Sequence, residues 1–195
     1  MRRLVAFNNV TLDGYFTGPG GDLSWTQSAP PDAEFDAFVT ANASGGDTLI
    51  LGRSTYELMA SYWPTPVAQQ QNPVVAARMN SMTKVVFSGT LAEAAWENTT
   101  LVRGDIVAEV LRLKQGLGGG IAVLGSGSIV AQLAGAGLID EYQLVVNPVV
   151  VGSGRTMFEG VMGMAPLRLT RSQVFANGKV LLCYEPMPVA LSDAQ

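Results

Sequence analysis

The sequence predicts one α/β domain, built on a largely parallel sheet flanked by helices and ending in an antiparallel hairpin. Three observations predict it. Short β-rich apolar runs alternate with segments whose apolar residues recur every three or four positions, as expected of strands alternating with helices. Glycine and proline clusters separate many of these segments. The alternation then gives way, between Leu167 and Glu185, to two strand-like runs around Asn177-Gly178, a dipeptide suited to a tight hairpin turn.

Taken in chain order, Leu4 to Leu12 is β-rich and stops at Asp13-Gly14, which marks a first strand and its turn. Glycine and proline fill positions 18–21, so a loop follows. Asp32 to Ala43 carries Phe35, Phe38 and Val39 at helical spacing before Gly45-Gly46 stops it. Thr48 to Leu51 is a short strand. Ser54-Thr55-Tyr56-Glu57 matches a capping box, which predicts a helix starting directly after Gly52-Arg53. Pro64, Pro66 and Pro73 predict a loop, and Lys84 to Ser88 the next strand.

Thr100 to Val102 is a weaker strand. The helix expected from Asp105 places Ile106, Val110, Leu113 and Leu117 on one face and ends at Gly118-Gly119-Gly120. Ile121 to Leu124 reads as a buried strand, broken by Gly125-Ser126-Gly127-Ser128 and followed by a helix from Ile129 to Ala136, closed by Gly137. Asp140 to Val151 is expected to be one long strand before the hairpin. Residues 1–185 make the folded domain, and 186–195 a flexible tail.

Composition narrows the function. Only 14% of the 195 residues are charged, against about 25% in an average soluble domain, while 48% are hydrophobic. That imbalance points to apolar surface hidden between subunits, and a homodimer is the simplest closed arrangement. A net charge of -4 supplies no basic patch for a phosphate backbone, which argues against nucleic acid as a partner. Cys183 is the single cysteine and there is no histidine, which excludes an internal disulfide, a histidine-dependent triad and a histidine-ligated metal. Four apolar residues after Arg3 are too few for a signal core or a membrane span, so a cytoplasmic protein is expected.

The two strand-to-helix elbows carry the chemistry. A helix that begins as a strand ends offers free backbone amides and the positive end of its dipole, and glycine lets an anion come close. At Gly125 to Ser128 the natural guest is a pyrophosphate. The dinucleotide fingerprint of the doubly wound fold does not fit there, because its third glycine and later acidic residue are missing and the motif lies late in the chain. Thr48 to Thr55 is a second elbow of the same kind, with Arg53 at the junction, and guanidinium suits phosphate oxygens. Two such sites could hold the two ends of a phosphorylated dinucleotide. Each also has a plainer reading, as a connecting turn or a solvated arginine.

Leu12-Asp13-Gly14-Tyr15, Leu51 to Glu57, Lys84 to Ser88, Val123 to Ser128, and Leu138 to Tyr142 with Asn147 to Gly154 together resemble the dihydrofolate reductase-like family. Within it the sequence is most similar to the reductase domain of riboflavin biosynthesis, in motif order and over roughly residues 2–185. The resemblance implies a dihydrofolate reductase-like fold and NADPH as cofactor. It implies that Gly52, Arg53, Ser54 and Thr55, joined by Ser88, meet the 2′-phosphate end, and that Gly125, Ser126, Gly127, Ser128 and Ile129 cradle the pyrophosphate. In the family the peptide at the position of Gly125-Ser126 is often cis; Ser126, where the family has glycine, departs from that pattern.

The implied activity is NADPH-dependent reduction of a small heterocycle, as in 5-amino-6-(5-phosphoribosylamino)uracil reduction. The alternatives are a dihydrofolate reductase and a non-catalytic NADP(H)-binding protein. Without histidine the proton must come from another acid or from water. Asp13 is the catalytic candidate, weighed against a simple turn-forming role beside Gly14. Trp25 is a candidate wall of the substrate pocket or a core-packing residue. Asp32 and Asp36 are the candidates for the acid with which folate reductases hold the pterin, although their spacing from Trp25 does not match. Gly152 to Arg155 forms either a substrate-phosphate site or a bend at the sheet edge.

Overall fold

The computed structural model describes residues 1–162 and 164–188. Its strands are β1 (Leu4–Thr11), β2 (Tyr15–Thr17), β3 (Gly46–Gly52), β4 (Thr83–Phe87), β5 (Thr99–Val102), β6 (Gly120–Leu124), β7 (Glu141–Asn147), β8 (Arg155–Thr156), β9 (Leu167–Val174) and β10 (Val180–Pro186). Its α-helices are α1 (Ala33–Ala43), α2 (Arg53–Tyr62), α3 (Pro66–Gln71), α4 (Pro73–Ser81), α5 (Ile106–Gln115) and α6 (Gly127–Gly135).

Eight strands pair in the order β5-β4-β3-β6-β1-β7-β10-β9. Every pairing from β5 to β7 is parallel, and β10 runs antiparallel to both β7 and β9. The expected mixed sheet with its C-terminal hairpin is therefore the observed one. Its central strand β3 is apolar and buried from Thr48 to Gly52, as a parallel strand covered on both faces must be. Ile50 packs with Val130 and Leu133 of α6 and Val110 of α5 on one face. Leu49 and Leu51 pack with Tyr56, Val75 and Met79 of α2 and α4 on the other. The hairpin end has its own cluster, in which Phe35 and Phe38 of α1 meet Phe7, Val145, Phe175 and Leu181.

Several sequence expectations need correction. Helix α2 has no capping box: Gly52 is its N-cap and no side chain caps it, because the chain turns from strand to helix with no intervening residue to serve as a serine cap. The proline-rich segment is not a loop but the two short helices α3 and α4. Pro66 and Pro73 open them, where a missing N–H loses no helical bond. Helix α5 stops at Gln115 with Gly116 at its C-cap, so Leu117 lies beyond it and is fully exposed, and Gly120 already belongs to β6. Helix α6 begins two residues earlier than its apolar pattern, at Gly127. The long strand from Asp140 ends at Asn147, where Pro148 has no N–H to continue a ladder. Of the expected tail, Pro186 closes β10, and 189–195 lie outside the described residues.

One buried charge is unusual. Lys84 on β4 has no exposed surface; its Nζ donates to the carbonyls of Met82 (2.8 Å) and Asn80 (3.1 Å) and lies 4.4 Å from the Trp96 ring centroid. Burial pushes its pKa down to about 8.

Candidate active site

Parallel α/β sheets offer their ligand crevice beyond the carboxyl ends of the strands. Here that region is a cleft of about 1390 Å³, bordered by residues at the ends of β1 (Phe7, Asn8, Asn9), β3 (Gly52), β4 (Phe87), β5 (Val102) and β6 (Leu124). All ten residues assigned to a cofactor from sequence line it: Gly52, Arg53, Ser54, Thr55, Ser88, Gly125, Ser126, Gly127, Ser128 and Ile129. Residues far apart in sequence are thus brought to one surface.

The helix ends around this cleft differ from those elsewhere. Asp32 caps α1, Thr65 caps α3 and Asp105 caps α5 through side-chain oxygens. Helices α2, α4 and α6 have no such side-chain cap; Asn72, the N-cap of α4, also lines the cleft, and at α2 and α6 the first-turn amides that lack intrahelical partners are left unclaimed beside it. The two elbows also touch. Ser126 adopts a left-handed backbone (φ 57°, ψ 67°), and its Oγ accepts from the Gly52 amide at 2.7 Å and lies 3.0 Å from Thr55 Oγ1. Glycine is required at both elbows by this approach. A Cβ at Gly52 would meet Ser126 Oγ at 2.5 Å, and one at Gly125 would meet Thr55 Oγ1 at 2.8 Å. No cis peptide occurs among the described residues, so the Gly125-Ser126 bond does not follow the family tendency.

Charge in the cleft is opposite to that of the chain. Arg53, Arg103 and Arg155 line it, against Asp22 as the only carboxylate among the described residues there. Arg53 is half exposed, with only a 4.0 Å approach to Glu57, and is free to turn to an anion. Arg103 is instead fixed by the carbonyls of Leu91 (2.8 Å) and Ala92 (3.1 Å). The Ser88 hydroxyl accepts from the Leu91 and Thr90 amides (2.9 and 3.2 Å), leaving its own hydrogen for a ligand. The amide and hydroxyl of Ser24 hold the Asp22 carboxyl below the usual carboxylate range.

The remaining candidates from sequence lie elsewhere. Asp13 is exposed outside the cleft; the Thr11 hydroxyl and the amides of Gly152 (2.8 Å) and Val151 (3.2 Å) hold its pKa low. Its carboxylate therefore ties the first turn to the glycine-rich segment after β7. Trp25 is buried, with Nε1 donating to the Asp22 carbonyl at 3.1 Å, and does not line the cleft. Asp32 accepts from the amides of Phe35, Asn177 and Glu34, which lower its pKa, and Asp36 is exposed on α1; neither lines the cleft. Of the Gly152–Arg155 segment, Arg155 does line it. Sequence reasoning passed over Asn8, Asn9, Thr17, Asp22 and Arg103. Asn8, Asn9 and Arg103 do carry a legible signal, since polar residues at the carboxyl end of an apolar strand belong to the crevice.

Residues 2–181 match the family model described as the RibD C-terminal domain. The uncharacterized protein YyaP of Bacillus subtilis (strain 168) is 30% identical over 183 residues, 94% of each chain. Among solved structures, a putative riboflavin biosynthesis protein from Shewanella sp. PV-4 superposes with a TM-score of 0.73 at 22% identity, covering 95% of this chain and 99% of that one. The dihydrofolate reductase from Enterococcus faecalis, solved as a complex with NADP(H), gives a TM-score of 0.60 at 16% identity over 94% of this chain and 96% of its own. At these identities the two structures establish the dihydrofolate reductase-like fold.

Proposed function

The chain belongs to the RibD C-terminal domain family, and from that premise we propose that it is an NADPH-dependent reductase of a small heterocycle, resembling 5-amino-6-(5-phosphoribosylamino)uracil reductase. One observation carries the reading: two helix N-termini without side-chain caps, joined through Ser126, border one arginine-lined cleft. Unclaimed amides and positive dipole ends together fit a ligand bearing phosphates.

Gly52 to Thr55 and Ser88 would hold the 2′-phosphate end, with the Arg53 guanidinium as its charged partner, and Gly125 to Ile129 the pyrophosphate. NADPH bound there supplies the hydride. The chain supplies position and surroundings. Phe16, against Gly127 of the elbow, lines the cleft and would exclude water from the reacting ring. Asp22, held ionised by Ser24, accepts hydrogen bonds from a substrate N–H or O–H and does not donate the proton, which comes from solvent.

The absence of a protonated carboxylic acid among the described residues of the cleft favours, as a second reading, an NADP(H)-binding protein without turnover. A dihydrofolate reductase fits less well, since Asp32 and Asp36 stand outside the cleft. We assign the working form as a cytoplasmic homodimer, supported by Leu169 and Val174 exposed on the edge strand β9; a monomer mass in solution overturns the dimer.

Calorimetric titration of NADPH and NADH into the wild type and Arg53→Ala tests the cofactor. We expect Arg53→Ala to weaken NADPH tenfold or more and NADH less than twofold, because only NADPH carries the 2′-phosphate. Equal losses contradict the role of Arg53, and no binding of either nucleotide by folded wild type refutes the reading. A substrate screen followed at the nicotinamide absorbance separates the reductase from the silent binder.

A further inference from the structure

The cleft contains a polar atom with nothing to bond. Asn8 on β1 is 3% exposed and lines the cleft, yet its Nδ2 finds no partner among the described residues. Leu4 and Ala6, which share its face of the strand by alternation, pack with Ile129, Val130 and Leu133 of α6. The Asn8 amide therefore projects from the side of the sheet that bears the Gly125–Ser128 elbow. Asn9 projects from the other side, and its Oδ1 accepts from Asn147 Nδ2 at 3.1 Å. Thr17 Oγ1 on β2 is a second buried atom without a partner, on another residue that lines the cleft. Strand β2 abuts the same elbow, since a Cβ on Gly127 would meet the Phe16 ring at 3.2 Å.

Buried polar groups are paired in folded proteins, and an exception inside a binding cleft marks a partner that arrives with the ligand. Asn8 presents a neutral donor among apolar neighbours, which suits a neutral carbonyl. The elbows already account for the phosphates. What is left of a nicotinamide dinucleotide on this side of the sheet is the ring and its carboxamide. A carboxamide offers both an acceptor and a donor, the complement of Asn8 Nδ2 and the Thr17 hydroxyl.

Resting on the cofactor reading above, we propose that Asn8 orients the nicotinamide ring by donating from its side-chain amide to the carboxamide oxygen, with Thr17 Oγ1 taking the carboxamide N–H. Asn8 then fixes which face of the ring meets the substrate, through a side chain and not through backbone alone.

The test compares NADPH with 2′,5′-ADP, which keeps phosphates and lacks the nicotinamide, by calorimetry on the wild type and on Asn8→Leu, a near-isosteric apolar replacement. We expect 2′,5′-ADP to bind both proteins within twofold and NADPH to bind Asn8→Leu about tenfold more weakly. The ligand-free variant is expected to melt at a higher temperature than wild type, because a desolvated, unpaired donor has been removed. A purely structural role for Asn8 would lower stability and leave the ratio of the two affinities unchanged. Unchanged NADPH affinity in Asn8→Leu, with 2′,5′-ADP still binding, overturns the assignment. Failure of wild type to bind either ligand overturns the cofactor reading instead. If Asn8→Leu does not fold, Asn8→Ala carries the same comparison.

Discussion

Replacing Ser126 by alanine removes a single oxygen, yet that oxygen is the contact between the two elbows. Its loss leaves the buried Gly52 amide without its 2.7 Å acceptor and Thr55 Oγ1 without its 3.0 Å neighbour. An unsatisfied buried N–H costs about 1–3 kcal/mol. Alanine also keeps the left-handed backbone of residue 126, whose strain of about 1–2 kcal/mol is unchanged from serine. Glycine in its place loses the same hydrogen bond but relieves that strain. We therefore expect Ser126→Ala to be destabilised by about 2 kcal/mol and Ser126→Gly by about half as much. For a domain of this size each kcal/mol moves Tm by about 2–4 °C, so thermal unfolding followed by circular dichroism should rank wild type above Ser126→Gly and Ser126→Ala lowest. A double-mutant cycle with Thr55→Ala should show coupling, since both substitutions act on one contact. Ser126→Ala as stable as wild type, or Ser126→Gly less stable than Ser126→Ala, would refute the latch.

Two further outcomes follow from residues outside the cleft. Below pH 8 Lys84 is protonated in both folded and unfolded chains and the burial penalty is present in full; between about 8 and 10.5 only the unfolded chain keeps the proton, so stability rises with pH by about 3 kcal/mol in all. Urea unfolding across that range should show a larger gain in wild type than in Lys84→Met, and identical slopes in the two proteins would contradict it. Asp32→Ala removes the α1 cap and the acceptor for the Asn177 amide at 3.0 Å, so Tm should fall by roughly 3 °C while NADPH affinity stays put. A cofactor-binding defect in Asp32→Ala would place that carboxylate in the site after all.

The two elbows of the candidate site were legible because they are local. Gly52-Arg53 and Gly125 to Ser128 announce themselves through strand and helix patterns that meet within one or two residues, and backbone amides need no distant partner to be exposed there. The same locality made the hairpin at Asn177-Gly178 and the alternation of strands and helices readable. Where periodicity met a competing local device, the reading failed: prolines that read as loop instead start α3 and α4, and Leu117 fits the α5 pattern but lies past its Gly116 stop.

What the chain order could not supply is which residues share a space. Asp13, Asp32 and Asp36 are acids of the right type, and the fold spends Asp13 on the Val151 and Gly152 amides and Asp32 on a helix cap, with Asp36 left in solvent. Asn8 looks like an ordinary strand residue until packing leaves its Nδ2 without a partner among the described residues while keeping it beside the cleft. Sequence by itself determined most of the elements and the two strand-to-helix bends, since both depend on residues adjacent in the chain. Tertiary structure decided which side chains have hydrogen bonds left to give, because that depends also on neighbours distant in the chain, such as Gly52 and Ser126, which come close only when the sheet assembles.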